Sequence, residues 1–126
     1  MRKPKCPFNL LMNRVRSSAK TAKEKGQMYG RTEPWDINID AEYLKEIYEK
    51  NNGCCPYHLA IGVYKKIDLD LVFVSYNMLS PSVDRIDSTI GYVKGNVVIT
   101  HRITNLGKQS TSFNEFLNQL RIYNNK

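Results

Sequence analysis

SPSVDRIDSTIGYVKGNVVITHRITNLGK, residues 80 to 108, holds the most structural information per residue in this chain. Gly91 and Gly95 punctuate a loop that Asn96 closes. Val97, Val98 and Ile99 then form a β-branched strand core. From His101 or Arg102 a short helix is expected to run to Leu106, with Gly107 as its stop. An Asp at the end of one strand and an Asn in a following helix can offer two oxygen ligands to one hard divalent ion, leaving coordination open for phosphate and water. Asp84 and Asn105 are the pair placed to do so. Asp87 either faces the same ion or caps a turn after Ile86.

Upstream, Phe8, Leu11, Met12, Val15, Ala19 and Ala22 recur at three and four, which predicts an amphipathic helix over residues 8–25 ended by Gly26. Arg14, Arg16, Lys20 and Lys23 fall mostly on its other faces, turned toward phosphates. Residues 30–39, centred on Glu33, Pro34 and Trp35, read as a connection, with the single tryptophan sealing the first helix against the body. Asp40 caps a helix from Ala41 to about Asn51, with Glu42 in its positive first turn and Gly53 just past its end. The runs Leu59–Tyr64 and Leu69–Tyr76 read as two short strands of a hairpin. Downstream, Ser112 and Glu115 stand at capping-box spacing before Phe113, Phe116, Leu117 and Leu120 at helical spacing.

At 126 residues and 14.6 kDa the chain is the size of one domain, 1–126. Its net charge of +7 is uneven. Residues 1–31 hold nine basic residues and one acidic, residues 32–83 sum to −4, and residues 84–126 to +3. Concentrated basicity points to a polyanion. Cys6, Cys54 and Cys55 are an odd set with an adjacent pair, which fits neither a disulfide framework nor a CxxC zinc pattern and suits a reducing compartment. No apolar run approaches the ~18 residues of a membrane span, and no signal-peptide core follows the basic start, so a cytoplasmic protein is expected.

The string from Pro81 to Lys108 resembles the HNH or His-Me-finger (ββα-metal) endonucleases, in the phage and homing-endonuclease-like branch whose motif runs DRID, GY, GN, a strand, then N and K. SAKTAKEKG and EKNNGCCPY upstream resemble the basic helix and hairpin approach of such proteins, so the likeness spans about Ser18 to Lys108. It implies an α+β domain with a ββα-metal core over 54–109 flanked by helices, and Mg2+- or Mn2+-dependent cleavage of DNA to a 5′ phosphate. It places a metal ligand on Asp84, a second on Asn105, the loop-tying asparagine on Asn96 and a phosphate-contacting lysine on Lys108. The general-base histidine position holds Arg85, which stays protonated and is a poor base. Arg85 could clamp the phosphate while metal-bound water loses its proton elsewhere. His101 or His58 could supply the base instead. In the third case catalysis is lost and the fold binds nucleic acid or a protein, as an inactive DNA-binding relative or a phage-type interaction or inhibitor module. Lys94 and Arg102 are further phosphate contacts, Tyr92 an anchor packed on the helix. DNA is the expected partner, with a homodimer or a protein partner as further possibilities.

Overall fold

The computed structural model describes residues 6–21, 35–74, 77–108 and 113–124. Ala22, Lys23, Gly26, Glu33, Pro34 and Ser112, each given a role by the sequence, lie outside them. Among the described residues the architecture is α+β: five helices around one two-stranded antiparallel sheet. The first helix, α1, covers Pro7–Thr21 and buries Phe8, Leu11, Met12, Val15 and Ala19. That spacing of three and four puts one apolar stripe on the core.

The second helix, α2 (Ala41–Lys50), starts where the Asp40 carboxylate accepts from the Tyr43 backbone N–H at 2.8 Å. It ends where Asn52 and Gly53 take φ of +53° and +72°. Leu44 is fully buried on its inner face, with Ile47 and Tyr48 packed beside it.

The hairpin expected over residues 59–76 is absent from the described part of that segment. Pro56–Leu59 instead form a one-turn helix, α3, and Leu69–Phe73 a 3-10 helix. The reason is local. Pro56 is pre-set for the first helical turn, and the His58 carbonyl accepts from both Ile61 and Val63 N–H. Asp68 accepts from Asp70 N–H at 3.0 Å, drawing a strand-like run of apolar residues into a tight turn.

The sheet forms further along. Strand β1 (Pro81–Arg85) pairs with β2 (Val97–His101) in the register Pro81 opposite His101 through Arg85 opposite Val97. The next helix, α4, spans Arg102–Lys108 and so runs through Gly107. The last, α5 (Phe113–Asn124), buries Phe116 and Leu117.

The core joins α1, α2 and β2 around Leu11, Leu44, Tyr57, Ile67 and Ile99. The segment after Trp35 closes against the 86–96 loop through a parallel bridge between Ile37 and Tyr92. Tyr92 N–H donates to Asp36 O at 2.8 Å, and a Cβ on Gly91 would stand 2.5 Å from that same oxygen. Glycine at 91 is therefore a condition of this backbone approach.

Candidate functional site

Asp84 sits near the end of β1, is 6% exposed, and has two partners. The Tyr57 hydroxyl donates to its carboxylate, and the Lys108 ammonium lies 3.4 Å away. Lys108 reaches in from the last turn of α4, is fully buried, and also donates to Arg85 O at 3.0 Å. Its ammonium lies 6.0 Å from the centre of the Tyr57 ring, which Phe116 of α5 backs edge-on at 5.2 Å. Burial pushes the Asp84 carboxyl up from its ordinary range, and the Tyr57 hydrogen bond and the Lys108 charge pull it only part of the way back. Burial, reinforced by the Asp84 charge, also raises the Tyr57 hydroxyl, which therefore keeps its proton as a donor.

These residues do not fit a divalent ion. The cation beside Asp84 is Lys108, a tyrosine hydroxyl takes up further acceptor capacity, and Asn105 turns its amide to Ser82 Oγ at 2.8 Å. Among the described residues no group of three or more His, Cys, Asp or Glu side chains could hold a metal. Lys108, read from the sequence as a phosphate contact, is a buried counter-ion.

Arg85 points the other way from the strand. Its guanidinium lies 4.4 Å from the ring centre of buried Trp35 and 5.2 Å from that of Tyr92, and it donates to Ser88 O at 2.9 Å and Ile90 O at 3.3 Å. Two aromatic faces and two carbonyls make it a fastener for the 86–96 loop. Asn96 holds the same loop from inside. Its amide nitrogen donates to Asp87 O, Ile90 O and Gly91 O, and its oxygen accepts from Asp87 N–H. Asp87 caps a turn by accepting from the N–H and hydroxyl of Thr89.

His101 ends β2 and so precedes α4. Its Nε2 is 3.0 Å from Lys66 O, and its ring meets His58 edge-on at 6.3 Å. Burial lowers the basicity of both imidazoles. They belong to the packing between α3 and β2.

The cationic residues divide by location. Arg14, Arg16 and Lys20 are exposed on α1, a helix with no acidic residue. Arg14 donates to Val72 O at 3.0 Å, fastening α1 to the 3-10 helix, whereas Arg16 bonds only locally to Asn13 and shares a face with Lys20 one turn on. Lys94 lies 5.7 Å over the Tyr43 ring at a groove it shares with Glu42, Glu46 and Glu49, which is unsuited to phosphate. Arg102 is exposed at the start of α4. The sequence reading missed Tyr57 as the donor to Asp84. The residue is visible in the CCPY string, but its partner lies 27 residues away.

The family model DEAD_2 matches residues 2–120. The chain belongs to the DEAD_2 family. DEAD_2 is a helicase family, so the endonuclease resemblance is overturned, and with it the HNH and His-Me-finger assignment and the reading of the chain as a metal-dependent DNA-cleaving enzyme. The match covers the whole string from Pro81 to Lys108 on which that resemblance rested. The geometry gives a physical reason why such a string can mislead: in this DEAD_2 chain Asp84, Arg85 and Asn96 have structural partners. No curated protein and no solved structure matches the chain. No described helix is long and apolar enough to cross a membrane.

Proposed function

We propose that this chain is a nucleic-acid-binding domain serving a helicase-type enzyme, and that it grips the phosphate backbone through the outer face of α1. The observation that carries this reading is the division of that helix. One side is buried in the core, and the exposed side presents Arg16 and Lys20 one turn apart with no carboxylate in the helix to neutralise them. Family membership supports the choice of nucleic acid as the polyanion. Phosphate contacts of this kind fix position and affinity without reading sequence. The role proposed for the chain is this grip on nucleic acid.

The test is fluorescence anisotropy of the full chain with a labelled oligonucleotide over a series of salt concentrations. The logarithm of the affinity should fall linearly with log salt. The double substitution Arg16→Ala, Lys20→Ala should weaken binding and lower the slope by about 1.4 to 1.8, since each phosphate contact contributes ~0.7 on single strands and ~0.9 on duplex. Absence of binding at low salt, or a slope unchanged in the double variant, would overturn the reading.

A further inference from the structure

Tyr64 is 84% exposed, far more than any other large apolar side chain among the described residues, the next being Ile122 at 60%. Isolated apolar residues on a surface are ordinary. This one differs in how it is held and in what stands next to it. It lies in the segment between α3 and the 3-10 helix, which is fixed on both sides of it. On the entering side Ile61 and Val63 N–H both donate to His58 O. On the leaving side Lys65 O accepts from Cys55 N–H at 2.8 Å, Ile67 N–H donates to Gly53 O at 2.8 Å, and His101 Nε2 is held against Lys66 O.

Two residues before Tyr64, Gly62 takes φ of +79°, and an added Cβ there would meet nothing within 4 Å. From Asn51 to Ile67 the only ionised residues are Lys65 and Lys66, both exposed. Lys66 is partly engaged, donating to Asn52 O at 3.0 Å, which leaves Lys65 as the cation directly after the ring. The nearest following carboxylate, Asp68, is turned into its own cap on Asp70 N–H.

We infer that Tyr64 is a stacking platform for an unpaired base of single-stranded nucleic acid, with Lys65 supplying charge to the adjoining phosphate. The inference rests on the nucleic-acid reading above and adds strand type and a second contact point. A flat ring on a segment so fixed gives stacking area with little ordering entropy to lose, and every base offers a π-face. Aromatic rings interleaved with positive charge are the usual device for holding single strands without regard to sequence. A duplex, its bases already stacked on one another, has no face to offer Tyr64.

The experiment compares wild type, Tyr64→Ala and Tyr64→Phe as full chains, each titrated against a labelled oligothymidine, an abasic strand of equal length and a duplex. Tyr64→Ala should weaken binding to oligothymidine roughly tenfold or more, change duplex binding less than twofold, and match wild type on the abasic strand. Tyr64→Phe should keep wild-type affinity throughout. Because the side chain is so exposed, both variants should melt with the wild type. If wild type binds nucleic acid but Tyr64→Ala loses nothing on oligothymidine, or loses equally on all three ligands, the stacking platform is refuted while the backbone-binding reading stands. If wild type binds none of them, both readings fall.

Discussion

Lys108 and Asp84 face each other with 0% and 8% of their side chains exposed, and that places them among the most consequential residues for stability. Removing one member of a buried pair strands the other charge in a poorly solvated place, whereas replacing both removes the charges together. Lys108→Met should therefore lower unfolding free energy by about 3–5 kcal/mol. Adding Asp84→Asn to it should recover most of that loss, because an amide oxygen still accepts from Tyr57 without needing a cation. Urea denaturation of the two single variants and the double variant checks this. A double variant no more stable than Lys108→Met would show that the pair does not act as a unit.

At the level of elements, the 86–96 loop is held by Asn96 from within and by Arg85 from outside. Asn96→Ala would remove four hydrogen bonds; Ile90 O keeps Arg85 and Asp87 O keeps Ile90 N–H, but Asp87 N–H and Gly91 O lose the partner described for them, and the loss should cost about 2 kcal/mol or more. Asn96→Asp should be no better, since a carboxylate would then confront the carbonyls of Asp87, Ile90 and Gly91. Thermal denaturation measures the loss, and faster hydrogen exchange at Asp87 N–H would localise it. How legible each element was in the sequence follows from the range of the forces that make it. Helices α1 and α2 were readable because a stripe at three-and-four spacing and the Asp40 cap act within a turn or two. The supposed hairpin at 59–76 was misread because its β-branched and aromatic content outweighed a single capping carboxylate, Asp68, in the reading but not in the fold. Gly91 and Asn96 stood out as punctuation, yet the reason for Gly91, the carbonyl of Asp36, lies 55 residues back in sequence. The candidate site was hardest: Asp84 and Lys108 were both singled out, but nothing in spacing alone says that a lysine 24 residues on folds in to be the cation.

Across the whole molecule, the titrating groups of the core pull stability in opposite directions with pH. His58 and His101 are buried, their basicity is lowered below the ordinary value of 6.5, and His58 Nδ1 has no hydrogen-bond partner among the described residues. A group with a lowered folded pKa binds protons less readily when folded. Its contribution is fully present above 6.5 and is lost as pH falls through the folded value. Asp84 is the reverse: its folded pKa is raised, so its contribution is greatest below the ordinary 3.8 and declines as pH rises through the folded value. Total stability mixes the two, but differences between variants separate them. The stability of wild type minus that of His58→Leu should fall as pH is lowered from about 7 to 5. Wild type minus Asp84→Asn should instead rise as pH is lowered toward 3.8. Urea midpoints collected at several pH values for the three proteins give both curves. Two curves of the same sign would show that burial does not set the protonation of this core, and parallel flat ones that His58 and Asp84 titrate as they do in the unfolded chain.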